Sequence, residues 1–255
     1  MLPLRDRNPT TRTPVITVLL IIANVAVFLL VQRAGTLGST EDTQFTYEHA
    51  AVPCEITQGH PLTVTELRDD ACDNAHQGRE LFPDKNVALS ALVSMFLHGG
   101  WLHLGGNMLF LWVFGNNVED RLGRLRYLVF YLLCGYLAAY GFALVNANAT
   151  DPLIGASGAI AGVLGAYLMF FPRARVWSLV PFLLFIPLRL PAWLVLGLWF
   201  VLQWAYSAGY AVSAAGSVAY VAHVVGFVFG FLAAVPFLRR RPPYPYQGYP
   251  RRPWS

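Results

Sequence analysis

Long apolar segments separated by short polar ones constrain this chain more than any other feature. Only 13% of its 255 residues are charged and 56% are hydrophobic, against roughly 25% charged in ordinary soluble domains. A spanning helix needs about 20 apolar residues. The pattern predicts an all-α, polytopic membrane protein with six transmembrane helices; a soluble protein with unusually apolar core helices is the alternative. The six apolar segments are 15–32, 94–115, 125–145, 155–171, 192–208 and 217–238.

The basic residues are distributed asymmetrically about these segments. If the N-terminus lies inside, all but four of the 18 basic residues fall in inner segments; the exceptions are Arg33, Arg68, Arg79 and Lys85. Because basic residues near span ends are retained on the cytoplasmic side, the asymmetry predicts that both termini are cytoplasmic. This topology accounts for the net charge of +4, and the dispersed arginines do not favour nucleic-acid binding.

The same reading divides the chain into three parts. We predict a cytoplasmic N-terminal segment over 1–14, a membrane domain over 15–238 and a basic, Pro/Tyr-rich cytoplasmic tail over 239–255 that is disordered. A polar loop at 33–92 should lie outside. The apolar stretch 176–188 is too short for a seventh span and contains two prolines, which predicts an interfacial hairpin.

Two of the three cysteines, Cys54 and Cys72, lie in the polar loop. In an oxidising compartment they can form a disulfide that closes a small loop, and two free thiols are the alternative. Cys134 lies in the third apolar segment, where a packing residue is the simplest interpretation.

Polar side chains inside the apolar segments are candidates for function, because burying them in a membrane is costly. Acidic residues are nearly absent from these segments, so a catalytic carboxylate is not available at depth. No HExxH motif occurs, and His98 and His103 lie about 140° apart on a continuous helix, which argues against a zinc protease. Since no Walker loop or dinucleotide fingerprint occurs either, we expect no metal and no cofactor. The polar candidates are His98, His103, Asn107, Ser157, Gln203 and His223.

Ser157 stands near the beginning of a short apolar segment, 155–171. Seventeen helical residues span about 25 Å, less than the roughly 30 Å of a hydrocarbon core, so this helix should begin below the outer surface. Gly155 and Gly158 flank the serine and permit close approach of another backbone, while free N–H groups at a helix start can stabilise an oxyanion. The alternative is that these small residues serve only close helix packing and that Ser157 has no catalytic role.

His223 lies at a similar depth in the last segment. Gly226 and Gly230 follow at i+3 and i+7 and therefore share its helix face. If this face packs against the glycine stripe after Ser157, the imidazole and the hydroxyl can meet as a catalytic dyad. A buried histidine bonded to a carbonyl is the alternative.

His103 and Asn107 are spaced i, i+4 and point to one side of the second helix. An imidazole and an amide so placed can donate hydrogen bonds to an oxyanion. An interhelical polar clamp without chemistry is the alternative interpretation.

Taken together, these residues resemble the rhomboid family of intramembrane serine proteases. The resemblance covers about 90–238 and rests on HGGWLHLGGNMLFLWVFGNNVEDRLG at 98–123, GASG at 155–158 and AHVVGFVFG at 222–230, in the family's order. Glu119 and Arg121 match the family's ExR pair. One departure is Ala161, where some members have an aromatic residue that stacks on the histidine.

The resemblance implies that Ser157 is the nucleophile and His223 the base, with His103, Asn107 and the Ser157 N–H around the oxyanion. It implies cleavage of transmembrane protein substrates within or beside their spans. A rhomboid-like protein that binds or escorts membrane clients without proteolysis is the main alternative, and a channel or proton relay is a third. The absence of targeting signals and large extra domains favours a bacterial plasma membrane, with the site open to the extracytoplasmic side.

Overall fold

The computed structural model describes residues 2–6, 8–32, 37–72, 78–180, 186–209 and 219–238. The predicted tail at 239–255 lies outside the described residues. Ten α-helices and three strands occur within the described part. The strands are β1 (Leu2–Asp6), β2 (Arg175–Val180) and β3 (Ile186–Pro191). The helices are α1 (Val15–Ala26), α2 (Thr40–His49), α3 (Pro53–Gln58), α4 (Val64–Asp69), α5 (Val87–Val93), α6 (Trp101–Leu122), α7 (Arg124–Val145), α8 (Ser157–Phe170), α9 (Ala192–Ser207) and α10 (Tyr220–Ala234).

Each predicted apolar segment contains one apolar helix, but among the described residues only two of these helices are long and apolar enough by themselves to cross a membrane. These two are α7 and the Tyr220–Phe237 helix that includes α10. A third span results if Val87–Phe96 and α6, which are bent by 83° at their junction, count as one. Shorter apolar helices occupy Val15–Val31, Ser157–Phe170 and Ala192–Ser207. Large apolar side chains on the helix surfaces, such as Leu102 at 94% exposure and Leu125 at 74%, suit contact with lipid.

Two sequence expectations need correction. The sequence predicts a second apolar helix that is continuous from residue 94, whereas α6 begins at Trp101 after a break at Leu97–Gly100. Gly99 and Gly100 supply the flexibility for this break, since glycine lowers the cost of leaving a helix. The fold is also not purely helical, because β1, β2 and β3 form an antiparallel sheet in that order.

The predicted hairpin at 176–188 is formed by β2 and β3. Their register pairs Trp177 with Arg189, and the guanidinium of Arg189 lies 4.2 Å from the Trp177 ring centroid, a cross-strand cation–π contact. The N-terminal strand β1 adds to the other edge of β2. The sheet thus ties the beginning of the chain to the connection between α8 and α9.

The C-terminal end of α6 is hydrogen-bonded to the start of α1 and to the segment that follows α10. Glu119 is buried and accepts hydrogen bonds from the N–H of Ile16 and from the N–H and hydroxyl of Thr17, which caps the free donors at the start of α1. Arg121 donates to the carbonyl of Leu238 at 2.8 Å, beyond the end of α10. The pair that resembles the ExR motif therefore holds α1 and the end of the last helix in place.

Cys54 and Cys72 form a disulfide with a Cα–Cα distance of 5.8 Å. It joins the start of α3 to the segment after α4, in the polar insertion. The insertion also contains a buried ion pair, in which Lys85 Nζ lies 2.6 Å from Glu55 Oε2. Burial raises the pKa of Glu55 and lowers that of Lys85, while the attraction between them opposes both shifts.

The helix α8 lies at the centre of the fold. Ten consecutive residues from Gly158 to Tyr167 are buried, and the helix contacts α6, α7, α9 and α10. Its fourteen residues span about 21 Å, shorter than the roughly 30 Å hydrocarbon core. A short central helix of small residues therefore carries its first residue, Ser157, into the interior of the bundle.

Candidate active site

Ser157 is the first residue of α8 and is half-buried. Gly155, two residues earlier, has a φ of +120°, a conformation that favours glycine. A Cβ on Gly155 would also lie 2.7 Å from His103 Nε2. The Gly155 N–H donates to the carbonyl of Ser94 at 2.9 Å. Backbone geometry and close packing together account for a glycine just before the serine.

His223 lies in the first turn of α10, 66 residues after Ser157, and its side chain reaches the serine. The distance from His223 Nε2 to Ser157 Oγ is 2.7 Å, within hydrogen-bond range. The sequence predicted that these two side chains could meet, and the fold brings them together.

Glycines on α8 and α10 allow this approach because the two backbones are in direct contact. A Cβ on Gly226 would overlap the carbonyl of Gly158, and a Cβ on Gly230 would overlap the carbonyl of Gly162. Gly165 faces the backbone of Phe227 in the same way. The two glycine stripes are therefore partners across a close helix–helix contact.

His103 and Asn107 both lie next to Gly155. The position of a Cβ there would be 2.8 Å from His103 Cε1 and 3.7 Å from Asn107 Nδ2. Nδ1 of His103 faces the N–H of Gly99 at 3.4 Å, which leaves Nε2 on the Gly155 side. The amide nitrogen of Asn107 is buried and has no hydrogen-bond partner among the described residues. Two side-chain donors thus converge beside the turn that leads into Ser157.

His98 is fully buried behind this site. Its ring packs edge-on against His103, with centroids 5.1 Å apart, and its backbone N–H and carbonyl both bond the side chain of Gln32. His98 therefore supports the position of His103 by packing. Within the described ranges, no group of three or more His, Cys, Asp or Glu side chains is arranged to hold a metal ion.

Two residues of α9 complete the surroundings of His223. Gln203 Oε1 lies 2.6 Å from His223 Nδ1, and the Trp199 ring packs on the imidazole with centroids 5.9 Å apart at 33°. The sequence marks Gln203 only as a polar residue within an apolar segment, without a role, and it does not single out Trp199. Their spacing of i, i+4 on one helix face is the signal that could have linked them.

Comparison with known proteins gives the family of the chain. The sequence model of the Rhomboid domain matches residues 85–240. This span holds both glycine stripes and the side chains of Ser157, His223, His103, Asn107 and Gln203. The chain belongs to the rhomboid family.

Individual proteins named as rhomboid proteins match shorter parts of the chain than the domain model does. The chain is 34% identical over 149 residues to Rhomboid protein 1, mitochondrial, of Saccharomyces cerevisiae, covering 56% of this chain and 40% of the yeast protein. It is 32% identical over 122 residues to Rhomboid-type serine protease 2 of Emericella nidulans, covering 46% and 24%. Presenilin-associated rhomboid-like protein A, mitochondrial, of Danio rerio is 34% identical over 95 residues, covering 36% and 24%. This rhomboid chain thus spans less than half the length of these relatives.

Proposed function

We propose that this rhomboid protein is an intramembrane serine endopeptidase. The observation that carries the proposal is the 2.7 Å contact between Ser157 Oγ and His223 Nε2 at the recessed start of α8. A serine hydroxyl is a weak nucleophile at its own pKa, and an adjacent imidazole base activates it. Membership of a family that includes a protein named as a serine protease supports the same conclusion.

In the proposed mechanism, Ser157 Oγ attacks the carbonyl carbon of a substrate peptide while His223 Nε2 takes its proton. The tetrahedral oxyanion receives hydrogen bonds from His103, Asn107 and the Ser157 N–H. The C–N bond then breaks as His223 returns the proton to the leaving amine. Water next attacks the acyl-enzyme, with His223 again as the base, and releases the second fragment and the free serine.

The substrates we propose are transmembrane proteins, cleaved within or next to a span. Ser157 lies at the beginning of a helix too short to cross the hydrocarbon core, so its hydroxyl meets a peptide bond below the membrane surface. Small helix-weakening residues at the cleavage site suit a nucleophile that needs an extended peptide. The reaction uses side chains of this chain and needs no cofactor or nucleic acid.

The proposed topology has six spans, with 1–14 and 239–255 on the cytoplasmic side and the disulfide-bonded insertion outside. The asymmetric distribution of basic residues supports it. Water then enters from the extracytoplasmic side, where α8 begins. The compartment is a separate matter: two of the relatives are named as mitochondrial, which weighs against the expected bacterial plasma membrane, whereas an integral membrane location fits the family.

Purified protein in liposomes with a model single-span substrate tests the proposal. We expect cleavage by the wild type and a loss on the order of 10³-fold or more in Ser157→Ala and in His223→Ala. Ser207→Ala and His49→Ala, which remove the same functional groups elsewhere, should retain cleavage. A fluorophosphonate should label the wild type and not Ser157→Ala.

Cleavage that persists in both dyad variants would exclude this mechanism. Stable binding of the substrate by a well-folded wild type, with neither cleavage nor labelling, would instead favour the non-proteolytic client-binding function.

A further inference from the structure

The imidazole of His223 is held on both of its nitrogens. Nε2 faces Ser157 Oγ at 2.7 Å and Nδ1 faces Gln203 Oε1 at 2.6 Å. Ser157, His223 and Gln203 come from three different helices, α8, α10 and α9. This chain of two hydrogen bonds therefore exists only in the folded bundle. Both distances lie within the range of strong hydrogen bonds.

The Gln203 contact selects one tautomer of His223. An amide carbonyl oxygen accepts hydrogen bonds and cannot donate them. Nδ1 must therefore carry the proton, which leaves a lone pair on Nε2. That lone pair points at Ser157, whose hydroxyl donates to it. This is the tautomer that a general base requires, and the other tautomer would place an N–H against the nucleophile.

The same helix also places an aromatic ring beside the imidazole of His223. Trp199 lies one turn before Gln203 on α9, and its ring packs on His223 at an interplanar angle of 33°. At position 161 of α8, some family members carry an aromatic residue that stacks on the histidine. In this chain position 161 is an alanine, and its Cβ lies against Gly226 of α10. Since α8 offers no aromatic ring at position 161, the contacts that orient the imidazole of His223 come from Trp199 and Gln203 on α9.

A neutral acceptor suits this depth better than a carboxylate would. The α9 and α10 segments contain no Asp or Glu, and a buried ionised carboxylate is costly without strong compensation. A glutamine supplies an oriented oxygen without that cost. It also accepts from the Nδ1–H of the imidazolium that forms when His223 takes the serine proton.

We propose that Gln203 is a positioning residue that completes a Ser157–His223–Gln203 triad. The inference rests on the proposed proteolytic function and deepens it. Gln203 acts through His223 by fixing its tautomer and orientation, and it does not contact the substrate. Its removal should therefore slow acylation without weakening substrate binding.

Replacement of Gln203 by Met, Ala or Glu tests this role. Gln203→Met keeps the length and removes the acceptor, and Gln203→Ala is a second acceptor-free variant in case the thioether disturbs packing. Gln203→Glu retains an oxygen acceptor of the same reach in either protonation state. Leu202→Met is the control on α9, since Leu202 is 42% exposed.

We expect kcat for the model substrate to fall about 10- to 100-fold in Gln203→Met and Gln203→Ala, with KM within about 2-fold of wild type. The rate of fluorophosphonate labelling at Ser157 should fall by the same factor. Gln203→Glu should recover most of the labelling rate, and Leu202→Met should match the wild type. Thermal unfolding in detergent would verify that each variant is folded.

Wild-type labelling rates in folded Gln203→Met and Gln203→Ala would overturn the inference. So would a folded Gln203→Glu that labels as slowly as Gln203→Met, because the acceptor would then not be the property that matters. A wild type that neither cleaves nor labels would instead overturn the proposed function.

Discussion

Asp6 connects the N-terminal strand β1 to α6 and α8 through its side chain. Its Oδ2 accepts hydrogen bonds from the Tyr167 hydroxyl at 2.8 Å and from Asn117 Nδ2 at 2.6 Å. Tyr167 lies near the C-terminal end of α8 and is fully buried. The carboxyl of β1 thus bridges α6 and α8 on the side of the molecule away from Ser157. Burial, only partly opposed by the Tyr167 hydrogen bond, raises the pKa of Asp6 from 3.8 to about 6.

This raised pKa makes stability depend on pH in a defined direction. Between about pH 4 and 6 the carboxyl of Asp6 is protonated in the folded state and ionised in the unfolded state. Asp6 therefore stabilises the folded state below this range, and this stabilisation is lost as the pH rises through about 6. Asp6→Asn keeps an oxygen acceptor and cannot titrate. We expect the wild-type unfolding midpoint, measured in detergent from pH 4 to 7.5 relative to Asp6→Asn, to decrease with rising pH and then level off. Parallel curves for the two proteins would contradict the assignment.

At the scale of elements, the contact between α8 and α10 decides whether Ser157 and His223 can meet. Gly230 lies two turns after His223, and a Cβ there would overlap the backbone of Gly162. Gly197 on α9 is a matched helical glycine with nothing within 4 Å of its Cβ position. The two sites therefore separate the effect of steric room from the general effect of replacing a glycine in a helix.

We expect Gly230→Ala to destabilise the protein by about 1–3 kcal/mol or more, because the added methyl must push α10 away from α8. Labelling of Ser157 should fall with it, since the same displacement lengthens the serine–histidine contact. Gly197→Ala should be neutral or stabilising by up to about 1 kcal/mol. Thermal unfolding and fluorophosphonate labelling measure both effects; equal behaviour of the two variants would show that the close contact is not required.

These elements also show what the sequence could and could not predict. Spacing alone placed His223, Gly226 and Gly230 on one helix face, because helical periodicity is local. The contact of Gln203 with His223 could not be predicted in this way, since it depends on the rotation of α9 relative to α10. Strand β1 was missed because its partner β2 lies about 170 residues away and only five residues form it. Prolines indicated the hairpin at 176–188 but not its pairing with β1.

At the scale of the whole molecule, the disulfide-bonded insertion forms hydrogen bonds with the segment that leads into α8. The Cys54 N–H donates to the carbonyl of Ala149 at 3.0 Å, and the Leu153 N–H donates to the carbonyl of Ala51 at 2.7 Å. The Thr150 hydroxyl bonds the carboxylate of Asp70. The insertion thus binds the chain at 149–153, a few residues before Ser157.

This arrangement predicts that the disulfide supports both stability and the reactivity of Ser157. Opening a crosslink between residues 18 apart in sequence should cost about 3 kcal/mol by the loop-closure estimate. In Cys54→Ala/Cys72→Ala we expect a lower unfolding midpoint and slower fluorophosphonate labelling, because the hydrogen bonds of the insertion to 149–153 become less well fixed. A membrane-permeant reductant should produce the same two changes in the wild type and none in the double variant, which removes general effects of the reagent. If labelling keeps its wild-type rate while the midpoint falls, the insertion stabilises the fold without positioning the serine.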